Sequence, residues 1–139
     1  MYFDGQADAA VRRLWQRLAD AGLPSLATRT HRRRRPHVSL AVAESLANAD
    51  PAPLRTLLMS RRPALSLYTL STFPAATGVL WAYYLPGNWI PHCALAEGLD
   101  TSEAGRAFEL LADYRPITAQ VTSAGIKDTA TGAITLLTG

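Results

Sequence analysis

The sequence predicts an α+β protein built as one domain, and three observations support this class. Helical periodicity and strand-like runs alternate along all 139 residues, without a linker or a low-complexity tract. This length suits a single domain, 1–139, and the 48% hydrophobic content is enough for a packed core. The segment PHVSLA at 36–41 resembles PHCALA at 91–96, with an offset of 55 residues from His37 to His92. This weak duplication predicts two related lobes.

The first half of the chain predicts a short strand followed by a helix. MYF at the start leaves room only for a short or frayed strand. A helix is predicted over 6–21, because Val11, Leu14, Trp15 and Leu18 recur at helical spacing and Gly22 then stops the run.

Further along, residues 37–43 are apolar and rich in β-formers, which predicts a strand. Asp50 followed by Pro51 is typical of a helix start, so a second helix is predicted from there to about Arg61. Its expected buried face consists of three leucines: Leu54, Leu57 and Leu58.

The second half predicts more strands than helices. Strands are expected at three apolar runs, 64–73, 79–85 and 89–96. A third helix is expected over 102–114, since Asp100 and Glu103 have capping-box spacing. The tail predicts a hairpin of 118–127 and 133–138 around the turn sequence DTATG.

Composition and charge restrict the class of protein. Residues 1–62 hold eleven arginines and five acidic residues, which gives a net charge of +6. Residues 63–139 hold three basic and six acidic residues, which gives a net charge of −3. A basic half favours an anionic ligand, although a solvated basic surface is the alternative. No apolar run could cross a bilayer, no secretory signal is visible, and Cys93 is the only cysteine. We therefore expect a cytoplasmic protein without disulfides or a membrane partner.

The two matching segments each place a histidine in an apolar, extended setting. Side chains alternate along a strand, so His37 would share a face with Ser39, and His92 would share a face with Ala94. Two facing imidazoles suit general acid–base chemistry, since one can accept a proton while the other donates one near neutral pH. Neighbouring hydroxyl and arginine side chains would hold the anion that reacts.

The segments RPHVSLAV and WIPHCALAEGL resemble the two motifs of the two-histidine (2H) phosphoesterase superfamily, which includes 2′-5′ RNA ligase-like proteins and cyclic phosphodiesterases. The resemblance implies a bilobal, pseudo-twofold α+β fold with antiparallel sheets, outer helices and a central groove. It implies hydrolysis, or in some members ligation, of RNA-type or 2′,3′-cyclic phosphodiesters, without a metal or another cofactor. His37 and His92 match the catalytic pair, Ser39 matches a phosphate-binding hydroxyl, and Arg35 would line the groove mouth. The implied partners are RNA ends or cyclic nucleotides.

The chain departs from that family's pattern in the second motif. Ala94 stands where a serine or threonine is expected, and loss of one such donor typically costs about 3–4 kcal/mol, or about 10²–10³ in turnover. Only LPGNW, residues 85–89, bridges the strand ending near Leu85 to the second motif, so the second lobe lacks a helix. An uncovered sheet face could then support a homo-oligomer.

Several alternatives stay open at this point. A histidine in an apolar strand is often structural, Ser39 could bond within its sheet, and Arg32–Arg35 could be a solvated run. A zinc set of His31, His37, His92 and Cys93 is disfavoured, because none of these pairs has the short spacing of known ligand motifs. The protein could also be a catalytically degenerate member that binds nucleotide or RNA, or an interaction partner only.

Overall fold

The structure is a computed structural model that describes residues 1–28, 34–41, 50–60, 64–71, 90–128 and 130–138. These residues confirm an α+β protein with an antiparallel sheet. Its elements are, in chain order, β1 (Tyr2–Phe3), α1 (Gly5–Asp20), α2 (Ala52–Ser60), β2 (Ala64–Leu67), α3 (Thr101–Leu110), β3 (Ile117–Lys127) and β4 (Ile134–Thr138). The predicted strand 79–85 lies outside the described residues.

β3 is the central strand of the sheet. β1 pairs with its middle, where Tyr2 lies opposite Ser123, and β2 pairs antiparallel along its other side. β4 pairs with the last four residues of β3, which confirms the predicted terminal hairpin. The pairing of β3 with β4 is irregular near Gly125, where Leu137 of β4 is the extra residue. The side chains of β3 therefore alternate regularly between the two faces from Ser123 to Lys127.

α1 forms as the apolar periodicity predicts, one residue earlier than expected. Asp4 caps its start, and Oδ1 of Asp4 accepts hydrogen bonds from the backbone N–H groups of Gln6 and Ala7. The other carboxylate oxygen accepts from the N–H of Gln120 in β3, at 2.6 Å. Asp4 therefore starts the helix and fixes it to the central strand.

α1 covers one face of the sheet and separates two apolar clusters. We call the first the main core; its buried members are Phe3, Ala7, Val11, Trp15, Leu26, Val38 and Ala119. The second cluster is centred on Leu14, Leu18, Leu23 and Leu111 and joins α1 to the end of α3. Burial of these side chains is the dominant favourable term for holding the helix layer on the sheet.

Both later helices start at their predicted caps, and α3 is shorter than predicted. Oδ1 of Asp50 accepts from the N–H of Ala52 at the start of α2, and α2 runs to Ser60, next to the predicted end near Arg61. The side chains of its three predicted core leucines lie outside the described set. Asp100 and Glu103 form the expected capping box of α3. The prediction that α3 continues to residue 114 is wrong: the helix ends at Leu110, because Pro116 follows and the chain turns to bury Leu111.

The predicted strand 64–73 is too long. β2 ends at Leu67, opposite Ile117, where its partner strand begins after Pro116. The Tyr114 hydroxyl donates a hydrogen bond to the carbonyl of Leu67, which caps that end of the pairing. Residues 68–71 therefore have no ladder to join and are irregular.

Both histidine-bearing segments are also less regular than predicted. Of the predicted strand 37–43, only His37 forms a bridge, and residues 38–41 carry no regular structure. β1, the neighbour of this segment, is only two residues long and offers little to pair with. The described part of the predicted strand 89–96 is irregular, because other partners take its carbonyl groups, as set out below. No helix among the described residues is long and apolar enough to span a membrane.

Replacing Asp4 tests the junction between α1 and the sheet. We expect Asp4→Ala to lower the free energy of unfolding by about 1–2 kcal/mol, because it removes the N-cap and the acceptor for Gln120. The N–H groups of Ala7 and Gln120 lower the pKa of Asp4 below its ordinary value of 3.8. The contribution is therefore present above about pH 4 and is lost as the pH falls through the lowered pKa.

Urea unfolding at pH 7 and pH 3 measures both effects. Asp20→Ala, at the exposed end of the same helix, is the matched control and should cost much less. Equal stability of Asp4→Ala and the native chain at pH 7, or a gap that widens at pH 3, would contradict the assigned role.

Candidate functional site

His37 lies at the edge of the sheet, beside β1. Val38 and Met1 exchange two backbone hydrogen bonds, of 3.0 Å and 2.7 Å, and His37 lies opposite Tyr2. In an antiparallel pair this makes Tyr2 and His37 a non-hydrogen-bonded pair, whose side chains lie close on one face. The ring centroids of these two residues are 6.2 Å apart. Since Phe3 and Val38 are buried in the main core, His37 is on the opposite face from α1.

The backbone fixes the tautomer of His37. Its Nδ1 lies 2.8 Å from the carbonyl oxygen of Arg35, and a carbonyl only accepts, so Nδ1 carries a proton and Nε2 is left for proton exchange. Desolvation by the surrounding protein lowers the pKa of His37 although part of the residue reaches solvent, and the positive charges of the Met1 terminal ammonium, Lys127 and Arg34 lower it further. The neutral imidazole is therefore the dominant form at neutral pH.

His92 repeats this arrangement. Its Nδ1 lies 2.9 Å from the carbonyl oxygen of Ile90, again two residues upstream and again on the far side of a proline. The pattern X-Pro-His thus gives both imidazoles the same backbone partner and the same Nδ1–H tautomer. The sequence motif predicts the repetition of the residues, and the structure adds that their hydrogen bonding repeats too.

The segment after His92 is held by α1 and the loop that follows it. The indole N–H of Trp15 donates to the carbonyl of Ala94 at 3.0 Å, and the N–H of Leu26 donates to the carbonyl of Leu95 at 3.1 Å. These two bonds replace a strand ladder. They explain why the predicted strand is irregular while its position is still defined.

The two histidine segments are neighbours in space. Cys93 packs against the main core together with Val38, and the backbone N–H of His37 points to the Cys93 sulfur. Arg34 and Glu97 add an ion pair of 3.2 Å between the same two segments. Burial raises the pKa of the Cys93 thiol to about 11, so this cysteine stays protonated at neutral pH and is not a nucleophile.

Arg35 presents an accessible guanidinium close to His37. Its Cζ lies 5.0 Å from the centroid of the Tyr2 ring, and its Nε lies 3.8 Å from Oδ2 of Asp8. Oδ2 of Asp8 is buried without a hydrogen bond, while Oδ1 of Asp8 binds Arg12 at 2.5 Å. Within the described residues, the terminal nitrogens of Arg35 have no hydrogen-bond partner and can receive an anion.

The residues two positions after each histidine, Ser39 and Ala94, are both half-buried. The expected alternation of the second motif, with His92 and Ala94 on one face and Cys93 on the other, does not describe the structure: Cys93, Ala94 and Leu95 all pack against the main core. A hydroxyl at position 94 would lie against apolar side chains.

Other predicted groups lie outside the description or are not brought together. His31 and Arg32 fall outside the described residues. In the part of the chain that the structure describes, no group of three or more His, Cys, Asp or Glu residues is placed to hold a metal ion. The zinc set therefore gains no support from the described residues.

Sequence reasoning missed four residues around the histidines: Tyr2, Asp8, Trp15 and Lys127. Tyr2 and Lys127 belong to strands, and no local spacing relates either to His37. The helical spacing of Trp15 predicts only a core residue. Its hydrogen bond to the His92 segment depends on the tertiary structure. Covariation between these four positions and the histidine motifs would have identified them.

No family model, curated protein or solved structure matches this chain.

Proposed function

We propose that this protein is a metal-independent phosphodiesterase of the two-histidine type, acting on RNA-type or 2′,3′-cyclic phosphodiesters. The observation that carries the proposal is the matched hydrogen bonding of the two imidazoles. Nδ1 of His37 and Nδ1 of His92 each bind the carbonyl two residues upstream, at 2.8 Å and 2.9 Å. Each ring therefore keeps Nε2 for proton exchange, which a proton-transfer group needs.

The lowered pKa of His37 assigns the roles within this proposal. A neutral His37 accepts a proton at Nε2 from the attacking water as its oxygen bonds to phosphorus. His92, protonated, gives its proton to the 2′ or 3′ oxygen as the bond from that oxygen to phosphorus breaks. The product is a phosphomonoester with one free ribose hydroxyl, and the two histidines have exchanged protonation states. Arg35 and Ser39 would hold the non-bridging phosphate oxygens.

The proposal extends to the finer fold. A second lobe related to the first by a pseudo-twofold axis would place the His92 face across a groove from the His37 face. The proximity of Cys93 to the His37 backbone supports this arrangement, because it joins the two motifs at one place.

Turnover of a 2′,3′-cyclic nucleotide in EDTA tests the function, and its pH profile tests the role of His37. Since the base must be neutral, we expect kcat/KM to fall on the acid side, with an apparent pKa below 6.5, the ordinary value for histidine. An acid limb above pH 6.5 would contradict the assignment of His37 as base. Loss of all turnover in EDTA, restored by a divalent metal, would contradict metal independence.

A second candidate, a nucleotide- or RNA-binding protein without turnover, is favoured by one observation. Ala94 packs against the main core, so the second motif supplies no hydroxyl to the phosphate. This candidate predicts binding of a short RNA that weakens steeply with salt and is reduced by Arg35→Ala, with no cyclic nucleotide hydrolysis. Measurable turnover that depends on His37 would exclude it.

A further inference from the structure

We propose that Lys127 binds the phosphate beside His37 and supplies the cationic contact that the second motif lacks. This inference rests on the proposed function, since it concerns the same anion. It assigns a binding role to a residue of the terminal hairpin, outside both histidine motifs.

The sheet register brings Lys127 toward the site. β1 runs antiparallel both to the His37 segment and to β3, so these two run in the same direction on either side of it. His37 and Ser123 are level through Tyr2. Lys127 lies four residues beyond Ser123, in the direction in which the His37 segment also runs.

The strand alternation places these residues on one face. Tyr2 pairs with both His37 and Ser123, and paired residues of neighbouring strands point the same way. Because β3 is regular from Ser123 to Lys127, Lys127 projects from the face that His37 shares. Gly125 lies between Ser123 and Lys127 on this face, and the side chains of Ile134 and Leu136 in β4 occupy the space beside it. The flexible four-carbon stem of lysine can then reach toward the imidazole.

The ammonium group of Lys127 is available for an anion. Lys127 is exposed and forms no hydrogen bond or ion pair with any residue that the structure describes. The adjacent carboxylate of Asp128 is engaged in the hairpin turn, where Oδ1 accepts from the N–H groups of Ala130 and Thr131. Desolvation is the main cause of the lowered pKa of His37, and the charge of Lys127 adds to it, which agrees with the proximity derived from the register.

Lys127 would also supply a phosphate donor that the two motifs lack. A phosphate held only by Ser39 and Arg35 would receive hydrogen bonds from the first motif alone. Ala94 of the second motif has no side-chain donor. A cation from β3 approaches from a different chain segment. Lysine is a common phosphate ligand, acting as a point charge with three donors.

Lys127 is the only lysine in the chain, which makes the test specific. Growth with ¹³C,¹⁵N-lysine labels Lys127 alone and leaves the terminal amine, which donates to Val38, unmodified. Inorganic phosphate is then titrated while the side-chain signals of Lys127 are followed by NMR. We expect the Cε signal of Lys127 to move along a saturating curve that matches the shift of the His37 ring signals.

Variants define the expected size of the effect. Lys127→Gln should weaken phosphate binding about tenfold or more, in keeping with the loss of a charged hydrogen bond. It should also raise the pKa of His37, measured by NMR. Lys127→Arg should restore affinity to within about threefold, because it keeps the charge. Arg115→Gln is the matched control, since Arg115 is exposed and bonds only nearby backbone carbonyls, and it should bind phosphate as the native chain does.

The outcomes separate this inference from the proposed function. Turnover of a cyclic nucleotide with phosphate affinity unchanged in Lys127→Gln would overturn the role of Lys127 and leave the two-histidine chemistry standing. Phosphate binding that needs Lys127, without any turnover, would support the role of Lys127 and overturn the enzyme. A native chain that binds no phosphate at tens of millimolar would overturn the inference directly.

Discussion

His37→Ala and His92→Ala should each reduce kcat for a 2′,3′-cyclic nucleotide by about 10²–10⁴, the usual contribution of a positioned general acid or base. The reason is the matched pair of Nδ1 hydrogen bonds, which commits each ring to proton exchange through Nε2. The double variant should lose little more than either single variant, because residues that act as a unit are strongly non-additive.

The third histidine provides the control for this result. His31→Ala should retain kcat within about twofold. The three single variants and the double variant should all keep the thermal unfolding midpoint of the native chain within a few degrees. Full activity in either His37→Ala or His92→Ala would contradict two-histidine catalysis. A multiplicative loss in the double variant would indicate two independent roles rather than one coupled proton transfer.

Trp15 is the second position where we expect a large effect, because it serves both the core and the site. Its side chain is 3% exposed in the main core, and its N–H donates to Ala94 two residues after His92. Trp15→Ala should lower the free energy of unfolding by about 3–5 kcal/mol, as for other buried aromatic truncations. Since small domains have only about 5–15 kcal/mol of stability, we expect a measurable unfolded fraction of this variant at 37 °C.

Trp15→Phe separates the two roles. It keeps most of the apolar volume and removes only the N–H, so we expect a cost of about 1–2 kcal/mol from the unpaired Ala94 carbonyl. The His92 ring signals should shift, and turnover should fall by more than the stability loss explains. Val11→Ala is the matched control, since Val11 lies in the same core and makes no bond to the His92 segment.

Denaturant unfolding, NMR of the histidine rings and steady-state kinetics check these expectations together. If Trp15→Phe and Val11→Ala both left the His92 signals unchanged, Trp15 would be a core residue only. A shift in Val11→Ala as large as in Trp15→Phe would mean that general loosening of the core, and not the indole bond, controls the segment.

The sequence by itself determined the helices, their caps and the terminal hairpin. The start of α3 is encoded in Asp100 and Glu103, which bond to each other's backbone within one turn, and α1 follows from apolar residues at helical spacing. Such elements depend on partners three or four residues away, so local sequence is sufficient to predict them. The repeated Pro-His pattern at His37 and His92 is also visible in the sequence alone.

Strand extents and the composition of the site were decided only by the tertiary structure. Whether residues 68–71 or 90–96 join a ladder depends on distant partners: Pro116 ends the strand opposite β2, and Trp15 and Leu26 take the carbonyls after His92. The neighbourhood of Lys127 and His37 likewise depends on two strand registers that no local pattern encodes. Helix hydrogen bonds close within the segment that makes them, whereas the contacts of β1, β2 and the site close between segments far apart in the chain, from Tyr2 with His37 to Trp15 with Ala94, so only the folded chain could place them.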